Sequence, residues 1–215
     1  MDKMPAWADA ILVPLISILL AAILSALVIL AIGEDPVAAV KLMVTGALGS
    51  SYGWGFTLYY ATNFLFTGLA FAVASHAGLF NIGSEGQAMI GGLGVAIVCL
   101  MIPWPHWALA LPAAILGAAA FGALWALIPG WLQAKRGSHI VITTIMFNFI
   151  AAAVLNYVLV NILRPEGSMD PASAKFPEGA HLPTLHEMLL PLGINFSKAA
   201  PVNVSLLIAL LACVL

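Results

Sequence analysis

Charge is scarce in this sequence. Of its 215 residues only 7% are Asp, Glu, Lys or Arg, against 63% hydrophobic ones, and the mean hydropathy is +1.08. A soluble domain carries roughly a quarter charged residues, because its surface must be solvated by water. This chain cannot supply such a surface, so most of it must face lipid. With 7 Lys+Arg and a net charge of −2, it has no clustered cations to meet a phosphate backbone, which argues against nucleic acid as a partner. Cysteine is equally sparse. Cys99 and Cys213 lie far apart in apolar runs and form neither a disulfide framework nor a metal site. No metal or cofactor is expected. A phosphate-cradling G-x-x-x-x-G-K-[ST] segment is also missing, so any ATP hydrolysis would belong to another chain and the protein is not expected to be an enzyme.

What the sequence does have is long apolar runs. A helix needs about 20 predominantly apolar residues to cross a bilayer, and five runs approach that length, at about 10–32, 56–75, 87–102, 107–129 and 140–163. A sixth begins near residue 202 and is cut at 215. The first run is too long for the h-region of a signal peptide, about 7–15 residues, and is read as a retained span. The expected fold is all-α, a polytopic transmembrane helical bundle forming one domain over 1–215. Residues 35–50 place Lys41 among apolar side chains and read as a short helix at the headgroup level. Residues 164–201, rich in proline and acidic groups, read as an extramembrane loop. Asp, Glu, Lys and Arg are missing from the cores of the five runs.

Lysine and arginine mark the cytoplasmic side. With the N-terminus inside, Lys3, Lys135 and Arg136 are cytoplasmic and Lys41, Arg164, Lys175 and Lys198 lie outside. The tight Lys135-Arg136 pair in a short loop is the best marker, and it favours a cytoplasmic N-terminus.

The densest polar cluster is His76-Ala77-Gly78-Leu79-Phe80-Asn81-Ile82-Gly83-Ser84-Glu85-Gly86-Gln87, between the second and third runs. Glycines beside Asn, Ser, Glu and Gln predict a broken or re-entrant segment. Irregular backbone at membrane depth survives only where protein or a water-filled cavity surrounds it, and half-helix ends there can face a solute. The plainer alternative is an aqueous loop, with Glu85 serving the dipole of the following helix. Asn63, Asn148 and Asn156 lie within apolar runs. Such groups usually bond across helices, and Asn63 and Asn148 could instead hydrogen-bond a solute. Phe64, Phe80 and Phe147 could stack on a planar solute, although packing is the commoner role.

Residues 79–87, Leu-Phe-Asn-Ile-Gly-Ser-Glu-Gly-Gln, resemble the L-F-N-I-G-x-E-G-Q signature of nucleoside-type permeases of ATP-binding-cassette importers, within the group that also holds simple-sugar and branched-chain amino acid permeases. The Asn-Ile-Gly form, as against the Asp-Leu-Ser form of sugar-type relatives, points to nucleosides. Residues 137–148 similarly resemble the family's G-x-x-E-V-I-x-T-I-M-L-N, with Ile140 where many relatives carry Glu. The resemblance implies alternating access in the cell inner membrane. The implied partners are an ATP-binding subunit, a second permease subunit, an extracytoplasmic solute-binding protein and a small-molecule solute. It also implies further spans, so a fragment of a longer permease is expected. On this reading Asn63, Phe80, Asn81, Glu85, Gln87 and Asn148 line or brace the solute path. Gln133, Lys135, Arg136 and His139 are candidates for docking the ATP-binding subunit.

Beside a permease for a simple sugar or branched-chain amino acid, three rivals remain. A passive channel or secondary transporter fits the composition, but a coupled transporter usually carries intramembrane carboxylates. A membrane scaffold is the bland possibility. A serine hydrolase built on Ser84 would need a base within hydrogen-bond reach, and neither His76 nor His106 has the spacing for one.

Overall fold

The computed structural model describes residues 11–214. Lys3, Ala10 at the start of the first apolar run, and Leu215 lie outside the described residues. The protein is an all-α polytopic bundle. Among the described residues there is no strand, and five helices are long and apolar enough to cross a membrane. The chain divides into two compact units, the first ending at Thr57 and the second starting at Leu58.

In the first unit, α1 (Val13–Ala31) carries no charge and exposes large apolar side chains along its length, as a lipid-facing helix should. It stops at Gly33, whose φ of +90° suits a residue without a Cβ. The Glu34 amide then donates back to the Ile29 carbonyl at 3.1 Å. The Asp35 carboxylate accepts from Val37 N–H at 2.9 Å, and Pro36 opens α2 (Pro36–Leu48). At 13 residues, α2 is roughly 20 Å long and cannot cross a core of about 30 Å. Helix α3 (Ser51–His76), most of which belongs to the second unit, starts before the apolar run read from residue 56, because Ser50 Oγ accepts from Gly53 N–H at 3.0 Å and caps it.

In the second unit, α4 (Ser84–Met101) lies between α5 (Trp107–Arg136) and α6 (Ile140–Val158). Among the described residues it carries more buried side chains than any other helix, namely Ile90, Leu93, Ala96 and Cys99. Small residues set the α4–α5 approach. A Cβ on Gly94 would lie 2.5 Å from the Gly117 carbonyl oxygen and 2.8 Å from the Phe121 ring, and one on Gly91 3.3 Å from the Ala118 carbonyl. Without a hydrophobic driving force between helices in lipid, such close backbone contact is what holds them.

Helix α5 continues past the predicted end near residue 129 to Arg136. Pro129 is accommodated inside it, as membrane helices allow. It closes at Gly137, φ +66°, where Gly137 and Ser138 N–H donate to Gln133 and Leu132 carbonyls at 3.1 and 3.4 Å. The Gly137 bond is the 5→1 bond of a left-handed glycine C-cap. Helix α6 ends in a π turn, Leu159–Leu163.

The polar stretch after α6 has local order. A short helix, α7 (Leu185–Leu189), begins with a reciprocal cap in which Thr184 Oγ1 accepts from Glu187 N–H and Glu187 accepts from Thr184 N–H. His186 Nδ1 donates to the Phe196 carbonyl at 2.6 Å, and Leu185 N–H to the Val202 carbonyl at 2.9 Å. Val202 is 1% exposed. Gly179 abuts the backbone of Trp104 in the α4–α5 turn. This segment therefore forms a small cap over one end of the bundle. Helix α8 (Ser205–Ala212) follows it.

Candidate functional site

The segment between α3 and α4 is irregular because its residues bond locally instead of continuing a helix. Gly78 turns the chain at φ +77°. The Asn81 side-chain oxygen then accepts from Gly83 N–H at 2.8 Å, a turn that asparagine forms readily. Gly83 caps α4 without a side-chain bond of its own. The missing cap comes from another helix. Asn148 on α6 accepts from Gly86 N–H through Oδ1 at 2.9 Å and donates through Nδ2 to the Ile82 carbonyl at 3.0 Å. One carboxamide thus satisfies a donor of the first turn of α4 and an acceptor of the segment leading into it.

The packing around this clamp is tight. A Cβ on Gly86 would lie 3.0 Å from Asn148 Cα and 3.2 Å from Ala151 Cβ, and one on Gly83 3.1 Å from Thr144 Cβ. Thr144 and Ala151 are buried. Only glycine allows α6 to approach this closely.

Helix register sets the depth of the segment. Gln87 backbone lies opposite Gly122, and Gly94 opposite Gly117, so α5 and α4 run antiparallel. At 1.5 Å per residue, α5 extends roughly 16 Å beyond the start of α4. By the Gly86–Asn148 contact, α6 begins roughly 9 Å before α4 does. The N-terminus of α4 is therefore sunk below the end of the bundle that carries Lys135 and Arg136.

A cavity of about 600 Å³ occupies that recess, lined by Ala74, Leu79, Asn81, Gln87, Ala126, Pro129, Gly130, Gln133, Ala134, Ile140 and Thr144. Its walls are mostly apolar, and none of the described residues that line it is ionisable. Three carboxamides, Asn81, Gln87 and Gln133, reach it, each able to donate and to accept. Apolar walls with a few convergent polar groups are the usual form of a small-molecule site.

The structure thus brings Asn81 and Gln87 together, and it adds Gln133, which the sequence grouped with the basic loop. Glu85 and Asn148 instead flank a separate hollow of about 460 Å³ between α4 and α6, with Ile82, Met89, Ile145, Phe149 and Ala152. The Phe80 ring packs edge-on against Phe71 at 5.3 Å. Asn63 is exposed on α3, with its carbonyl accepting from Thr67 Oγ1. Phe147 packs edge-on against Trp125 at 5.4 Å. Lys135, Arg136 and His139 are exposed in and beside the three-residue turn joining α5 to α6. Helical periodicity could have flagged Gln133, which falls one turn after Pro129 and Gly130 on the same wall.

Comparison with known proteins agrees with this architecture. The family model described as branched-chain amino acid transport system / permease component matches residues 53–215. A glucose ABC transporter permease protein of Haloferax volcanii is 36% identical over 98% of this chain and 54% of its own length. A guanosine ABC transporter permease protein of Bacillus subtilis is 40% identical over 71% of this chain and 44% of its own. A nucleoside ABC transporter permease protein of Lactococcus lactis is 36% identical over 74% of this chain and 44% of its own. The chain thus spans about half the length of the curated relatives it matches. No solved structure matches it.

Proposed function

Because the chain belongs to the branched-chain amino acid transport system / permease component family, and so to multi-pass membrane transport proteins, we propose that it forms the permease of an ATP-driven importer of nucleosides. The observation that carries this reading is the uncharged cavity with Asn81, Gln87 and Gln133 on apolar walls. A nucleoside is neutral near pH 7 and has amide-like base edges and ribose hydroxyls that carboxamides can match. A zwitterionic amino acid would leave both its charges unpaired there, at a cost of several kcal/mol. Two relatives named for nucleoside or guanosine transport support the same solute class.

Energy would come from a separate ATP-binding subunit docked on Lys135, Arg136 and His139 in the cell inner membrane. An extracytoplasmic binding protein would deliver the solute, and a second permease subunit would complete the path. Import of a simple sugar is the second reading, favoured by the relative named for glucose, which aligns along nearly the whole chain.

The test is uptake of labelled nucleosides and glucose in cells carrying the intact gene and its neighbours, beside Asn81→Ala and Glu85→Ala at matched expression. ATP-dependent nucleoside uptake that falls in Asn81→Ala supports the proposal. Glucose uptake without nucleoside uptake would transfer the protein to the second reading.

A further inference from the structure

We propose that Asn148 is the positioning residue that ties the α5–α6 turn to the rim of the cavity, so that force applied at the turn moves Asn81 and Gln87. The inference rests on the reading above only in taking the exposed Lys135–His139 turn as the place where an ATP-binding subunit pushes.

The route is short and continuous. Helix α6 begins at Ile140, immediately after the turn. Two turns further along, Asn148 holds both the Ile82 carbonyl and the Gly86 amide, at 3.0 and 2.9 Å. On either side of that clamp the buried Thr144 and Ala151 sit against Gly83 and Gly86, within the distance at which a Cβ would already be crowded. Residues 82–86 cannot slide along α6 without breaking two hydrogen bonds in a low-dielectric setting.

The same segment carries the cavity's polar groups. Asn81 is locked to it by its bond to Gly83 N–H at 2.8 Å, and Gln87 follows on the first turn of α4. On the α3 side the joint is compliant. Gly78 and Leu79 N–H close α3 on the Ser75 and Ala74 carbonyls at 3.0 and 2.9 Å, so the joint is the short link after Leu79, where Phe80 meets Phe71 edge-on. A displacement of the turn would therefore carry Asn81 and Gln87 with α6 and let them move relative to Ala74 on α3, changing the cavity.

The assembled transporter tests this directly. Leu79→Cys places a thiol on the cavity wall, in a background with Cys99→Ala and Cys213→Ala. Its rate of maleimide labelling is measured with and without ATP plus vanadate, for intact Asn148, Asn148→Leu and, as a second variant that wedges the same interface, Gly86→Ala. ATPase activity and membrane level are recorded alongside. The expected result is a severalfold nucleotide-dependent change in labelling with Asn148 and none in the variants, with ATP hydrolysis retained. Equal nucleotide dependence in all three proteins overturns the proposal, as does no dependence in the intact one. Should Asn148→Leu not accumulate, Gly86→Ala decides alone. The labelling readout needs no solute, so a wrong cargo assignment would show only in the uptake assay.

Discussion

The carboxamide oxygen of Asn148 lies 2.9 Å from the backbone nitrogen of Gly86, across 62 residues of chain. A helix start is normally capped by the residue just before it. Here that position is Gly83, which has no side chain, and the cap comes from a neighbouring helix. The local end of α4 and the packing of α4 on α6 are therefore one interaction.

Replacing Asn148 by Leu keeps the branched shape of the side chain and removes both bonds. Caps contribute about 0.5–2 kcal/mol, and hydrogen bonds between membrane helices average about 0.6. The expected loss is about 1–3 kcal/mol, read as a lower Tm of the purified protein in detergent. An unchanged Tm would mean that the packing of Gly83 and Gly86 on α6 holds the segment without the amide.

The α4–α5 contact makes a sharper contrast. A methyl on Gly94 would lie 2.5 Å from the Gly117 carbonyl oxygen, whereas one on Gly92 meets nothing within 4 Å. Overpacking of this kind costs about 1–3 kcal/mol, and alanine is a better helix former than glycine by about 1 kcal/mol. Gly94→Ala should lower the yield of folded protein in the membrane, and Gly92→Ala should leave it equal or raise it. The comparison by fluorescence-detected size exclusion places the close face of α4, since the two residues lie two positions apart.

Apolar length made the five spans legible, since it is the one property a bilayer enforces on every crossing helix. The broken segment was legible too, because Gly78, Asn81 and Gly83 have local turn chemistry. The partner of Asn148 was not, since a residue's neighbours across 62 positions depend on packing and leave no local trace. Gln133 illustrates the same limit, because its neighbours Lys135 and Arg136 drew it towards the surface. Helix α5 ran beyond its apolar stretch because Gly137, not Pro129, ends it. The order within residues 164–204 was hidden by polar, proline-rich composition, although Thr184-x-x-Glu187 is a readable capping signal.

That capping pair offers an independent check on the cap. Removing an N-cap costs about 1 kcal/mol, and α7 is only 5 residues long, so little else keeps it helical. Thr184→Ala should raise the rate of limited proteolysis within residues 180–200 in membranes without altering the span helices. If cleavage is unchanged, the bonds of His186 to Phe196 and Leu185 to Val202 suffice.

The cavity carboxamides should be felt in affinity. A hydrogen bond between neutral groups contributes about 0.5–1.5 kcal/mol, which corresponds to a rise of roughly two- to tenfold in half-saturating solute for Gln87→Leu or Gln133→Leu. Measured as nucleoside-dependent stimulation of ATPase activity in the assembled transporter, the double variant should lose about the sum of the two, as independent contacts to one solute would. A loss only in Gln87→Leu would return Gln133 to the basic turn and leave the cavity with two polar contacts.

Orientation follows from the two ends of α6. Between Ile140 and Leu163 the helix spans 24 residues, roughly 36 Å, longer than the hydrocarbon core of about 30 Å. The α5–α6 turn and the cap are therefore expected on opposite sides of the membrane. Lys135 and Arg136 are paired in the shorter connection, where the positive-inside bias is strongest, while Lys175 and Lys198 are spread along the longer one, which that bias weighs little. The turn should face the cytoplasm. In a background without Cys99 and Cys213, a membrane-impermeant maleimide added to spheroplasts should label Met169→Cys, which replaces a side chain 96% exposed in the cap. Lys135→Cys should react only after permeabilisation. The reverse pattern would put the basic turn outside, remove it from the reach of any ATP-binding subunit, and with it the route through Asn148.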